Sequence, residues 1–194
     1  FTGQLVAQYL ARNYGVGKGL RWAIAGRNVS KLEEIRKGLE AIESRAASLP
    51  VLVGDSNDLS SLKSIAEQTK VICTTVGPYL EYGTLLVQAC IEEGTDYCDL
   101  TGETPFIRRI IDTYESQAVD GGCKIVHCCG FDSVPSDIGC WMLQDHSIEN
   151  EGAPCDHVTF YSGKTKGGMS GGTVASMIGM IEKSVTDKSI RRTL

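Results

Sequence analysis

The stretch VICTTVGPYLEYGTLLVQACIEEG, residues 71–94, decides the fold. Its first half is a short apolar and β-branched run closed by Gly77 and Pro78, the pattern of a strand buried on both faces. Its second half places Leu85, Leu86, Ala89 and Cys90 on one helical face, and Gly94 stands where that helix would stop. A buried strand that feeds through a short loop into an amphipathic helix is the repeating half of a parallel sheet.

Working outward, the same unit recurs on both sides. LRWAIAGR (20–27) carries a strand from Trp22 to Ala25 closed by Gly26, and Ser30-Lys31-Leu32-Glu33 reads as a capping box opening a helix to about Ala46. VLVGD (51–55) is the next strand, and Asp58 caps the helix DLSSLKSIAEQT. Downstream, DYCDLTGE (96–103) leads to a helix with Thr104 as cap and Pro105 at its first position. CKIVHCCGFDSVP (123–135) leads to a helix from Pro135. Five strands, each followed by a helix, specify an α/β fold with a doubly wound parallel Rossmann-type sheet. The opening FTGQLVAQYLARNYG spaces Leu5, Val6, Tyr9 and Leu10 as a helix with no strand before it. A six-stranded dinucleotide-binding sheet needs that strand, so the expectation is that it lies before Phe1 with the first glycines of a phosphate loop, Gly3 being the last of them.

The alternation breaks around HSIENEGAPC (146–155). HVTFYSG (157–163) reads as a new strand and, after KGGMSGG, TVASMIGMIEK (173–183) as a new helix. The expected division is a dinucleotide-binding domain over 1–146 and the start of a second α/β domain, for substrate or dimerisation, over 147–194.

Composition removes several function classes. A net charge of −5, with no basic run, argues against nucleic-acid binding, which needs clustered cations. No apolar run approaches the roughly 18 residues that would span a bilayer. The eight cysteines lie in apolar runs and form no C-x-x-C pair, so they read as buried free thiols of a reducing, intracellular compartment, with no metal site expected.

In open parallel sheets ligands bind beyond the carboxyl ends of the strands. Here those ends carry Arg27, Gly54-Asp55, Gly77-Pro78-Tyr79, Gly102-Glu103 and Gly130-Phe131-Asp132. Arg27 is the most informative, because a cation at the end of that strand suits the 2′-phosphate of NADP where an acid would suit NAD. Lys31, one turn on, adds a second cation, and Asp55 is placed either for the adenine amino group or for its own turn. Two partial motifs fail. Tyr14-Gly-Val-Gly-Lys18 has the spacing of a short-chain dehydrogenase pair but two interior glycines, and Ser162-Gly-Lys-Thr165 lacks the first Gly of a phosphate-binding loop. His127, His146 and His157 lack the i, i+4 pairing of a metal site and read as structural.

FTGQLV, AIAGR followed by Lys31-Leu32, TTVGPY with Gly83, DLTGE and GFDSVPSD, in this order and spacing, resemble the saccharopine dehydrogenase-like oxidoreductases, a family that includes bacterial trans-acting enoyl reductases. The resemblance runs through residues 1–146 and continues into KGGMSGGT. It implies that Phe1, Thr2 and Gly3 belong to the pyrophosphate turn, Arg27 to the 2′-phosphate site, and Gly77, Pro78 and Tyr79 to the nicotinamide ribose. The DLTGE segment, with Gly102, and GFDSVPSD would then face nicotinamide and substrate. Asp99, Glu103, Asp132 and Asp137 become the candidates for proton handling. Ser133, Val134 and Pro135 depart from the G-L-D-P-G-x-D of saccharopine reductases, which disfavours saccharopine as substrate. The resemblance also brings a lipid-like substrate, peripheral lipid-droplet or membrane association and a homodimer. The expected function is NADP-dependent reduction of a C=C or C=N bond; a nucleotide-binding scaffold without turnover and a true saccharopine dehydrogenase are the alternatives.

Overall fold

The computed structural model describes residues 1–164 and 166–194; Thr165, the end of the Ser162-Gly-Lys-Thr165 match, lies outside the described residues. The elements are helices α1 (Thr2–Tyr14), α2 (Val29–Glu40), α3 (Leu59–Ala66), α4 (Tyr79–Tyr82), α5 (Thr84–Glu93), α6 (Thr104–Gly121), α7 (Val134–Glu151), α8 (Gly171–Thr186) and α9 (Lys188–Thr193). Between them run strands β1 (Ile24–Gly26), β2 (Val51–Val53), β3 (Val71–Thr74), β4 (Asp96–Asp99) and β5 (Ile125–Val126). All five expected strands form and every pairing among them is parallel.

The strands stand in two groups, β1-β2 and β3-β4-β5. Ile24 pairs with Val51, Cys73 with Cys98 and Cys98 with Val126. No strand-to-strand hydrogen bonds join β1 to β3 among the described residues. Two apolar clusters follow the two groups. Ala7, Ala11, Val16, Leu39, Ala46 and Leu49 pack beside β1. Tyr79, Val87, Cys90, Tyr97, Phe106 and Ile110 pack around β4, and Ile190 of α9 joins them.

Local details correct several expectations. Helix α2 is capped by the Asn28 side chain, which accepts from the Lys31 amide at 3.0 Å, instead of by Ser30, and it ends at Glu40; a short 3₁₀ turn over Ser44–Ser48 takes the place of its last residues. Asp58 caps α3 as expected. Helix α6 begins one residue after its cap, Glu103, so Thr104 is its first residue. Helix α1 forms, but the side it buries is Ala7 and Ala11 while Leu5 and Tyr9 are 49% and 59% exposed. Small residues let a helix approach its neighbours closely, and that decided the face here. Gly15 and Gly17, both at φ 67°, end α1 at Tyr14, so Tyr14 and Lys18 share no helix.

The strand expected at 157–163 does not form. It has no neighbour to pair with, and an unpaired extended segment gains no ladder hydrogen bonds. Helix α7 runs unbroken across 146–147 and stops at Gly152, φ 76°. The thiols are also less buried than expected: Cys90 is enclosed, whereas Cys73, Cys129 and Cys140 are exposed and the other four are half-buried. All eight are free.

Candidate active site at the carboxyl ends of the strands

Three loops meet beyond β3, β4 and β5, and two buried carboxylates tie them together. Asp99, the last residue of β4, is 1% exposed. Its Oδ2 accepts from the Tyr97 hydroxyl at 2.8 Å and from His127 Nδ1–H at 2.7 Å, and its Oδ1 accepts from the amides of Thr101 at 3.0 Å and Cys128 at 3.2 Å. A carboxylate with both oxygens filled by donors on two strands is a brace. Burial, and then the Asp99 charge, push the Tyr97 hydroxyl well above its ordinary range, so it remains a donor.

Glu103, 2% exposed, does the same one turn on. Its Oε1 accepts from the Tyr79 amide at 2.8 Å and the Ser176 hydroxyl at 2.7 Å, and its Oε2 accepts from the Leu80 amide at 2.8 Å. It therefore satisfies the free amides at the start of α4 and docks α8 on the same point. Thr101 supports it by accepting from the Glu103 amide at 3.0 Å. Asp99 and Glu103 are thus enclosed, with every carboxylate oxygen accepting at least one hydrogen bond, a geometry that holds the three loops together.

Asp132 and Asp137 lie at the start of α7, exposed, on an open cleft of about 590 Å³ whose wall also includes His127, Cys128, Ser133 and Cys140. The imidazole of His127 packs edge-on against Tyr97 and Phe106, with centroids 5.9 and 5.4 Å away. Its side chain is 9% exposed and its Nε2 is buried with no hydrogen-bond partner. Cys128 beside it has φ 61°, the only non-glycine residue at positive φ among the described residues. His127 has no i, i+4 histidine partner in the sequence; in the structure it follows β5 one step past the Cys98–Val126 pair, and that register sets it beside Asp99.

The cofactor candidates fall at the same edge. Phe1 and Gly3 are exposed at the start of α1, Thr2 is half-buried, and a Cβ on Gly3 would meet Thr75 Oγ1 at 3.0 Å, so this turn lies against the end of β3. Arg27 is exposed at the end of β1 and Lys31 is exposed in the first turn of α2. Gly77 and Pro78 are half-buried and joined by a cis peptide bond, and Gly102 is exposed. Two candidates are otherwise engaged. Tyr79 turns its ring into the core, its hydroxyl donating to the Thr74 carbonyl at 3.2 Å, so only its backbone borders the loop. Asp55 closes its own turn, accepting from the Asn57 amide at 2.9 Å. The free amides at the start of α1 and these two exposed cations fit a phosphate-bearing dinucleotide.

A parallel sheet with glycine loops and cations gathered on its carboxyl edge defines a dinucleotide-binding domain. Residues 1–126 match the saccharopine dehydrogenase NADP binding domain, and the chain belongs to that family. It is 43% identical over 194 residues to a Mycobacterium tuberculosis protein named as a trans-acting enoyl reductase, and 39% over 193 residues to the trans-acting enoyl reductase of Mycobacterium bovis. These alignments take in 100% and 99% of this chain and 45% of either relative, so the chain spans less than half their length. Among solved structures, apo saccharopine dehydrogenase (L-Glu forming) from Saccharomyces cerevisiae superposes with a TM-score of 0.60 at 18% identity, over 77% of this chain and 29% of the other. The shared fold is Rossmann-type, and the bound nucleotide that the family carries is NADP.

Proposed function

We propose that the protein is an NADPH-dependent reductase acting on the C=C bond of a lipid-like enoyl substrate. The observation that carries this reading is the identity of 39–43%, along essentially the whole chain, to proteins named as trans-acting enoyl reductases. NADPH, when bound, supplies the hydride. The chain's share is binding and orientation. Arg27 and Lys31 hold the 2′-phosphate, the start of α1 takes the pyrophosphate, and the backbone of Gly77 and Pro78 borders the nicotinamide end. Asp132 and Asp137 stand at the rim where the substrate enters. Ser133, Val134 and Pro135 weigh against saccharopine.

The test uses the whole protein and NADPH with two probes, an enoyl thioester and a cyclic imine. NADPH consumption with the enoyl probe supports the reading. Consumption with the imine alone moves the reaction to C=N reduction, and tight NADPH binding without turnover on either makes the protein a scaffold. A homodimer, a peripheral lipid surface and a reducing compartment go with this reading. Sedimentation, vesicle flotation and thiol counting in cells test them in turn. Among the described residues no helix is long and apolar enough to cross a membrane.

A further inference from the structure

The His127 imidazole is the one polar side chain in the described residues with a buried atom that finds no partner, and that atom is Nε2. Its other nitrogen is fixed. Asp99 can only accept, so Nδ1 carries a proton and donates at 2.7 Å, which leaves Nε2 to face elsewhere in a single orientation. An unsatisfied buried polar atom is costly, and structures retain one where it serves a ligand or a reaction. A second, independent sign lies one residue on. Cys128 is held at φ 61°, a conformation costly for a side chain with a Cβ, and its amide is tied to the same Asp99. The loop is over-determined so that the imidazole points one way.

We propose that His127, oriented by Asp99, is the proton donor that completes reduction of the double bond; the proposal rests on the reductase reading above. Reducing C=C adds a hydride, from NADPH, to one carbon and a proton to the other. With the imidazole protonated at both nitrogens, the N–H bond at Nε2 breaks and its electron pair stays on nitrogen, a C–H bond forms at the second carbon, and the neutral imidazole, still N–H at Nδ1, regains its Nε2 proton from solvent. The groups around it suit that task. Asp99 of β4 accepts from Nδ1 and stabilises the imidazolium, Tyr97 donates to the same Asp99 oxygen and holds that carboxylate in place, Phe106 of α6 walls off one side of the ring, and Asp132 and Asp137 lie on the cleft through which the proton is replaced.

The test uses the whole protein with crotonyl-coenzyme A as probe. His127→Asn keeps an amide donor near the position of Nδ1 but has nothing at Nε2. The expected result is unchanged NADPH affinity, a kcat lower by about a hundredfold or more, and loss of the fall in kcat at high pH that an imidazolium donor imposes. If kcat and its pH profile stay within about twofold of the parent, the proposal is overturned and the reductase reading stands. If the parent consumes no NADPH with the probe, both fall. Should His127→Asn fail to fold, ¹⁵N NMR of the parent decides: the Nε2 resonance must move when crotonyl-coenzyme A is added to the NADP⁺ complex, and an unmoved resonance refutes the assignment.

Discussion

Arg27 stands exposed at the carboxyl end of β1, and its side chain is spent on no partner among the described residues. In Arg27→Ala the 2′-phosphate would face Lys31 alone, so NADPH affinity in the whole protein should fall about tenfold or more, as expected for loss of a charge-assisted contact. NADH carries no phosphate there and should bind as before. Parallel calorimetric titrations check this, and an equal loss for both nucleotides would make Arg27 a folding residue. The thiols offer a second residue-scale contrast. Cys73 lies opposite Cys98 on the neighbouring strand, and a hydrogen bond from that thiol brings it down to about 7, whereas burial pushes Cys90 up to about 12. Because the thiolate is the nucleophile, alkylation of Cys73 should rise with pH to a midpoint of about 7 and then level off, while Cys90 stays unlabelled in the folded protein. Peptide mapping after a short pulse of iodoacetamide reads both.

At the scale of elements, the join between α4 and α5 is the tightest point of the β3 unit. A Cβ on Gly83 would fall 2.6 Å from Phe106 Cζ and 2.8 Å from the Tyr79 carbonyl oxygen, so both the core and the backbone would have to yield. Gly83→Ala should cost about 1–3 kcal/mol, the usual range for overpacking. Gly54 makes the control. Its Cβ would clash only with the Ile65 Cδ1 methyl, at the rotatable tip of a side chain, its other neighbours lying at an ordinary 3.7 Å, so Gly54→Ala should cost clearly less. Urea denaturation of both variants ranks them, and equal midpoints would show that the α4–α5 corner relaxes freely. The same local view explains why helix ends were legible: Asp58 and Gly94 act on the turn beside them.

Across the whole molecule, Glu103 links parts that are far apart in sequence. It joins Tyr79 and Leu80 of the β3 loop to Ser176 of α8, 73 residues on, while Lys183 pairs with Glu81 at 3.3 Å and Ile190 enters the β4 core. Replacing Glu103 with Gln sets an N–H against an N–H at one of two buried amides. It should destabilise the protein by about 1–3 kcal/mol, the cost of one unsatisfied buried donor. Ser176→Ala removes one hydroxyl that solvent can partly replace and should cost less. Thermal melts of the two variants test the order, and a larger loss for Ser176→Ala would show that α8, and not the loop amides, is what Glu103 chiefly holds.

The sequence by itself determined the strand–helix alternation, the parallel sense of the strands and the edge at which their glycine loops gather. These are written in short-range periodicity: apolar runs of strand length, caps and glycines act within a few residues of themselves. The division of the strands into two groups, the alanine face of α1 and the unpaired segment at 157–163 were decided only in three dimensions, because each depends on whether a neighbour is present to pack or pair. The site divides the same way. Arg27 and Gly77 could be placed at the carboxyl edge from chain position, but the hydrogen-bond partners of Asp99 and Glu103 could not. Those partners arrive from 24, 28 and 73 residues away, through a backbone amide, an imidazole and a serine hydroxyl that no spacing in the chain announces. The unpaired Nε2 of His127 exists only where β4, β5 and α6 close around it.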